Sequence, residues 1–181
     1  MIIRIVTTTT SRMFLIQNGD LSMRLEFDIE NFDKYEKRLI PEFCRELTNS
    51  IIHDVKINVK ESKFKSREKD ILDASFIDWY NKPELLKMYN LGILIANSIK
   101  CYKIDGNLYS IEIDRKIYMP YSRTKLDVVA RFLDKGDLKT PPMNFISSVF
   151  NKYREDINKY WKSFVSVKLG RVETREVIKI K

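Results

Sequence analysis

The side chains best suited to catalysis are few and scattered along this chain of 181 residues. His53 is the only histidine, and Asp54 follows it within a helical pattern. A catalytic triad or a metal centre needs further partners at defined spacings, and the local sequence supplies none. Ser98 lies outside a Gly-x-Ser-x-Gly frame, and no Walker lysine motif or dinucleotide-binding glycine motif occurs. The residues therefore predict no enzymatic activity and no bound metal or cofactor.

The other reactive residues are two cysteines and several paired carboxylates. Neither Cys44 nor Cys101 has a second cysteine or a histidine at ligand spacing. They predict a reducing compartment and small buried side chains, with a disulfide between them as the alternative. Carboxylate pairs such as Glu155 and Asp156 fall on charged faces, where solvation or an ion pair is their usual role.

A basic segment from Lys56 to Lys69 suggests a different chemistry, the electrostatic recognition of anions. The net charge of +8 favours anionic partners such as nucleic acid or an acidic protein surface. The segment has no glycine and only Phe64 as an apolar residue after Val59, so it predicts neither a phosphate-binding loop nor a base-stacking surface. It is either a solvated loop or a contact with a phosphate backbone or an acidic neighbour. The residues that would make this contact are Lys60, Lys63, Lys65, Arg67 and Lys69.

Two stretches of alternating apolar and polar residues predict antiparallel hairpins. The clearest strand pattern runs over residues 21–29, and Asn18-Gly19-Asp20 predicts a turn that joins it to an earlier apolar run. The second hairpin surrounds Asp105-Gly106-Asn107, with a strand-like run on each side. Residues 1–6 predict an extended arm rather than a strand, because the threonine run behind them offers little to bury.

Four stretches show the spacing of apolar residues that is typical of amphipathic helices. Pro41 falls inside the first and predicts a kink or a break in it. The second is apolar on nearly every side, which predicts a buried helix. Gly136 is expected to close the third in a left-handed conformation. The four stretches are residues 32–55, 91–99, 126–133 and 145–161.

These elements predict one α+β domain, because 44% of the residues are hydrophobic and the length suits a single core. We expect residues 1–31 to form an N-terminal arm and hairpin, residues 32–163 the core domain, and residues 164–181 an extended tail. No apolar run reaches about 18 residues, so no membrane contact is expected. The N-terminus lacks the features of a signal peptide, which predicts a soluble, intracellular protein.

The order of the elements resembles the tail-completion proteins of tailed bacteriophages, also called head–tail joining or neck proteins. Several short segments are similar to motifs of that family, in the same order along the chain. Leu91-Gly92-Ile93-Leu94 with Asn97-Ser98-Ile99 is similar to its Thr-Gly-x-Leu…Ser-Ile segment, and Asp105-Gly106-Asn107 stands at its hairpin turn. Leu91 replaces the family's threonine, and the spacing between Leu94 and Ser98 is one residue longer.

The later segments continue the resemblance, which covers residues 32–161. Tyr118 to Tyr121 is similar to the strand that carries the family's Tyr-Ala, and residues 131–136 are similar to its Glu-Phe-Gly segment without the glutamate. Pro142-Met143-Asn144-Phe145-Ile146 is similar to the Pro-x-Pro-Phe-Leu sequence at the start of its last helix. The resemblance implies a twisted antiparallel sheet packed against a long N-terminal helix and a C-terminal helix.

The resemblance also implies a function, that of a structural virion protein for tail completion or tail termination. Such a protein forms a ring, commonly of six copies, between the portal side of the neck and the tail tube, and genomic DNA passes through its lumen. It assembles in the host cytoplasm and then resides in the virion. The expected subunit contacts are Tyr118, Tyr121, Phe132 and Phe145, and the basic residues of 60–69 would face DNA or an acidic partner ring. The alternative is a nucleic-acid-binding protein that uses Lys56–Lys69.

Overall fold

The computed structural model describes residues 2–3, 12–16, 21–28, 34–61, 88–119, 123–136 and 142–169. Within these ranges the chain forms an antiparallel sheet and four helices, which confirms the predicted α+β class. The strands are β1 Ile2–Ile3, β2 Arg12–Ile16, β3 Ser22–Asp28, β4 Ile99–Asp105 and β5 Leu108–Ile113. The helices are α1 Lys34–Glu61, α2 Met88–Asn97, α3 Leu126–Lys135 and α4 Ser147–Leu169.

The strand order in the sheet is β1-β2-β3-β5-β4, and every neighbouring pair is antiparallel. The pairing of β2 with β3 and of β4 with β5 confirms both predicted hairpins. The turn residues 18–20 lie outside the described residues. At the second hairpin, Gly106 does not adopt a positive φ, so the turn differs from the type that Asp-Gly favours most.

Strand β3 of the N-terminal hairpin is part of the core. Strand β3 lies in the middle of the sheet, and its alternate residues Met23, Leu25 and Phe27 are fully buried. Ile2–Ile3 pair with β2, which corrects the prediction of an unpaired arm at these two residues. Strand β3 therefore packs with residues that follow the boundary predicted at residue 31.

Helix α1 continues without a break through Pro41, so the predicted break at this residue is wrong. Proline removes one backbone hydrogen bond and crowds the preceding turn. Ile40, Phe43 and Cys44 are buried on either side of Pro41, and this burial holds the local helix in place. Helical stability in a folded protein comes mostly from such packing rather than from local propensity.

Helix α4 runs antiparallel to α1, and polar pairs mark both ends of the contact. Near the start of α4, Asn58 donates a hydrogen bond to the Ser148 hydroxyl at 3.1 Å. At its end, Nζ of Lys168 contacts Oε1 of Glu42 at 2.7 Å and Oε1 of Glu46 at 3.1 Å. The C-terminal half of α1 therefore faces the N-terminal half of α4.

Aromatic side chains fill the space between this helix pair and the sheet. Trp161 of α4 makes edge contacts with Phe43 of α1 and Phe27 of β3, with ring centroids 5.0 Å and 5.6 Å away. Tyr109 of β5 contacts the other side of Phe27 at 5.8 Å. One aromatic cluster thus joins α1, α4 and the central strands.

The prediction of an extended tail from residue 164 is wrong for residues 164–169, which continue α4. Phe164 contacts Phe43 with a centroid distance of 5.4 Å, and Val165 is buried. Lys168 lies four residues after Phe164 and pairs with acidic residues of α1. These tertiary contacts stabilise a helical conformation here, although the β-branched residues of this stretch favour an extended one. Residues 170–181 lie outside the described residues.

Candidate functional site

His53 and Asp54 are adjacent in the sequence, but their side chains lie in different environments. His53 is exposed on α1, whereas Oδ2 of Asp54 accepts hydrogen bonds from Nζ of Lys152 at 2.8 Å and from the Tyr153 hydroxyl at 3.1 Å. The bond to Asp54 raises the pKa of Lys152. Burial, and then the charge of Asp54, raises the pKa of Tyr153. The hydrogen bonds of Asp54 therefore link α1 to α4 rather than orient the His53 imidazole for catalysis.

Ser98 is also a structural residue. Its side chain is buried, and its hydroxyl donates a hydrogen bond to the Ile95 carbonyl at 2.6 Å. Its own carbonyl accepts a hydrogen bond from the Asp114 N–H at 2.9 Å. A serine that is closed to solvent and whose proton is already donated lacks the activating base that a nucleophile requires.

A cluster of charged and polar groups, which the sequence did not predict, lies at the start of β4, directly after Ser98. Nζ of Lys100 contacts Oδ2 of Asp114 at 2.8 Å, and the Lys116 N–H donates to Oδ1 of Asp114 at 2.9 Å. These two bonds lower the pKa of Asp114 to about 2. Burial, followed by the nearby Asp114, raises the pKa of Tyr102 to about 12. The alternation of polar residues along β4 and β5 was the available signal in the sequence, but it does not reveal which side chains pair.

Strand β4 is an edge of the sheet, and among the described strands only β5 pairs with it. A register shift interrupts the ladder between Lys103 and Asp105. Ile104 stands at this irregularity with a side chain that is 49% exposed. Bulges and lysines at a sheet edge discourage indiscriminate pairing, and both occur here. The edge is thus protected but carries an exposed apolar side chain.

The aromatic residues predicted at subunit contacts have different environments. Tyr118 is 52% exposed, so its ring is accessible. Its backbone forms an isolated β-bridge with that of Lys125. Phe132 is partly buried against the core, and Tyr121 lies outside the described residues. Phe145 is 2% exposed, which corrects its assignment to an interface. A side chain that its own chain covers this fully has no surface left for a neighbour.

The basic residues are described only where the segment begins. Lys60 is exposed in the last turn of α1, near the point where Asn58 contacts the start of α4. Lys63, Lys65, Arg67 and Lys69 lie outside the described residues. The structure therefore places the origin of the basic segment at the end of the α1–α4 pair and leaves its anion contact a prediction.

Cys44 of α1 and Cys101 of β4 are both free cysteines, of which Cys44 is buried and Cys101 partly buried. The contact with Cys101 and burial raise the pKa of Cys44, and the hydrogen bond from Cys44 lowers the pKa of Cys101. The predicted burial is confirmed for Cys44, and the alternative of a disulfide is not realised in this structure.

The described parts of the chain contain no cluster of three or more His, Cys, Asp or Glu side chains that could hold a metal ion. None of the helices in those parts is long and apolar enough to span a membrane. No protein-family model, no curated protein and no solved structure matches the chain. Function is therefore inferred from the residues and from the fold.

Proposed function

We propose that the chain is a structural subunit that assembles into a ring in the neck of a tailed bacteriophage. The proposal is supported by the order of a long first helix, a second helix, an antiparallel hairpin and a last helix, which resembles the neck family; α3 stands between the hairpin and the last helix. Fold-level similarity is an analogy, and many functions share one fold. The surface features that follow give the analogy a physical basis.

The exposed edge of β4 supplies one surface for a neighbouring subunit. Ile104 is 49% exposed beside the edge, and an apolar side chain in that position gains free energy when a neighbour covers it. A contact between this edge and a different surface of the next copy is heterologous, and it closes into a ring when the rotation per copy divides a full turn. Lys103 on the same strand is exposed and would select a neighbour with a complementary charge.

The interior packing favours a rigid building block over a molecule that changes shape. The aromatic cluster, the polar pairs at both ends of α1 and α4, and the buried ladder of β3 and β5 join every layer of the fold. Asp54 and Ser98 are engaged in structural hydrogen bonds. In this proposal, portal-side and tail-tube proteins contact the ring, and DNA passes through it without chemistry.

Negative-stain electron microscopy of the full chain tests the ring directly. The proposal predicts closed rings for the wild type and their loss in Ile104→Lys, because a charge replaces the apolar contact. The matched control is Val128→Lys on α3, where an equally exposed apolar residue, 53% accessible, lies outside the β4 edge. Rings that persist in Ile104→Lys would exclude the β4 edge, and a wild type without rings would contradict self-assembly.

The alternative function is nucleic-acid binding through residues 56–69. The exposed Lys60 within this segment and the net charge of +8 favour it. Binding of this kind weakens steeply with salt, because each neutralised phosphate releases counterions. Reversal of Lys63, Lys65 and Arg67 to glutamate should then abolish binding to a short DNA duplex in a gel-shift assay. Unchanged binding by this variant would exclude the segment as the site.

A further inference from the structure

We infer that an exposed surface between β5 and α3 binds single-stranded nucleic acid, with phosphates on its cations and a base on the ring of a tyrosine. The surface consists of Lys116, Tyr118, Arg123 and Lys125, and we call it the cationic surface. It includes neither residues 56–69 nor the β4 edge, so the inference goes beyond the proposed ring and its alternative.

The sequence concentrates positive charge in this part of the chain. Residues 115–125 contain four lysine or arginine side chains and no carboxylate. Arg115 already pairs with a carboxylate of β5 at 3.1 Å. The other three, Lys116, Arg123 and Lys125, are exposed, and none of them forms an ion pair within the described parts of the chain. Their charges are therefore available to an anionic partner.

Backbone hydrogen bonds place Tyr118 beside one of these cations, Lys125. The residue after Tyr118 donates its N–H to the carbonyl of the residue before Lys125, and the residue after Lys125 donates to the carbonyl of the residue before Tyr118, both at 2.9 Å. Tyr118 and Lys125 are thus a non-hydrogen-bonded antiparallel pair, in which side chains lie close together on one face. The following residues Met119 and Leu126 are buried, and the alternation of sides leaves the pair facing outward.

The exposed ring favours a nucleobase as part of the ligand. Tyr118 is 52% exposed beside a lysine. Proteins that hold single strands combine cations that follow the phosphates with aromatic rings on which bases stack. The bases of a duplex are already stacked on one another, and an acidic peptide would leave the ring uncovered. A single strand is the ligand that uses both the charges and the ring.

The start of α3 adds to the attraction for an anion. Lys125 is the N-cap residue of α3 and makes no side-chain capping hydrogen bond. The positive end of the helix dipole therefore lies next to the Lys125 ammonium group. Asp127 in the first turn is the nearby carboxylate of this helix, and Arg131 pairs with it at 3.5 Å.

The test is the fluorescence anisotropy of a labelled oligothymidylate with the full chain at several salt concentrations. We expect binding at low salt that weakens with a slope of roughly −2 in log K against log[salt], as three neutralised phosphates of a single strand would give. Unlabelled oligoglutamate of the same length should compete at least tenfold less well, because it cannot stack. No binding of the single strand, or equal competition by oligoglutamate, would overturn the inference.

Two kinds of variant separate stacking from charge. Tyr118→Ala should lower the affinity by about 5- to 150-fold, and Tyr118→Phe, which keeps the ring, should retain most of it. Lys125→Ala should make the salt slope less steep by about 0.7. Lys162→Ala removes a charge from an exposed position of α4 and should change neither quantity. Wild-type affinity of Tyr118→Ala, or equal effects of the two lysine variants, would overturn the inference.

One further variant distinguishes this surface from the basic segment of residues 56–69. Reversal of Lys63, Lys65 and Arg67 to glutamate leaves the cationic surface intact, so binding of the oligothymidylate should persist with most of its affinity. Loss of single-strand binding in this variant, with the fold retained by circular dichroism, would assign the binding to residues 56–69 and overturn the inference.

Discussion

Asp134 is fully buried in the last turn of α3, and its carboxylate caps a different helix. Oδ1 accepts hydrogen bonds from the N–H groups of Ile146 at 2.7 Å and of Ser147 at 3.1 Å, where α4 begins. Its backbone carbonyl also accepts from the N–H groups of Met143 and Asn144. One residue thus satisfies donors at the start of α4 and places a negative charge at the positive end of that helix.

Replacement of this cap should destabilise the fold measurably. We expect Asp134→Ala to lower the free energy of unfolding by about 2 kcal/mol, at the upper end of the range for helix caps, because the cap is buried. Asp134→Asn keeps an acceptor oxygen and should lose less. Glu155→Ala, at an exposed position of α4, serves as the control. Urea denaturation followed by circular dichroism provides the measurement, and equal stability of Asp134→Ala and the control would refute the capping role.

Asp114 should make stability depend on pH in the acid range. Hydrogen bonds from Lys100 and from the Lys116 N–H lower the pKa of Asp114 from its ordinary value of 3.8 to about 2. A carboxyl with a lowered pKa stabilises the fold above the ordinary value, and the contribution is lost as the pH falls toward 2. Asp114→Asn should therefore be less stable than the wild type at pH 7, and the difference should shrink between pH 4 and pH 2. Urea midpoints across this range test the prediction, and a difference independent of pH would contradict it.

At the scale of elements, α3 ends at a glycine whose backbone geometry only glycine adopts readily. Gly136 has φ 70° and ψ −174°, and its N–H donates to the Phe132 carbonyl at 2.8 Å. The predicted helix end at Gly136 is confirmed and its φ is positive, but its ψ lies outside the left-handed helical conformation that was expected. A residue with a Cβ is strained in this region of backbone space by about 1–3 kcal/mol.

The two glycines at turns should therefore respond differently to alanine. Gly136→Ala should lower the free energy of unfolding by about 2 kcal/mol. Gly106 does not have a positive φ, and a Cβ built on it meets no atom within 4 Å. Gly106→Ala should then be neutral or stabilising by up to about 1 kcal/mol. Chemical denaturation of both variants tests the contrast, and similar losses at the two positions would contradict the assigned geometries.

The aromatic cluster should contribute much of the free energy that holds α4 against α1 and the sheet. Trp161 contacts both Phe43 and Phe27 and is 5% exposed, so Trp161→Ala leaves a cavity between three elements. We expect a loss of about 3–5 kcal/mol in the free energy of unfolding. Val167→Ala, on the same helix and 76% exposed, should change it by less than about 0.5 kcal/mol. Thermal and urea unfolding distinguish the two variants, and a small effect of Trp161→Ala would show that α4 is held elsewhere.

Sequence periodicity predicted the elements whose pattern is local. The alternation around Met23, Leu25 and Phe27 predicted β3 because each buried side chain in a strand is two residues from the next. It failed at residues 164–169, where contacts with a distant helix outweigh β propensity. At Pro41 the helical periodicity was right and the alternative of a break was wrong, because α1 continues through this residue between the buried Ile40 and Phe43. Local patterns do not contain these distant contacts.

For the whole molecule, the candidate site was less predictable than the fold. Tyr118 was predicted as a contact residue, and this stays a prediction for a residue that is 52% exposed. The apolar spacing of residues 145–161 was compatible with burial of Phe145 or with a subunit contact, and it did not decide between them, because exposure depends on which elements pack together. The packing of α1 on β4 brings together residues far apart in sequence, which no local pattern reveals.

For the whole molecule, a self-associated ring and a complex with DNA should respond differently to salt. A ring held by apolar contacts, such as those of Ile104, should tolerate high ionic strength, because apolar burial does not depend on charge. A complex held by the lysines of residues 56–69 should dissociate as salt rises. Salt dependence therefore separates the proposed function from its alternative.

The most direct measurement is mass photometry of the full wild-type chain at low and high salt, with and without a short DNA duplex. We predict one discrete closed oligomer whose mass is the same at both salt concentrations and is unaffected by DNA. A chain that stays monomeric throughout, or a monomer that gains mass only with DNA at low salt, would contradict the proposed ring.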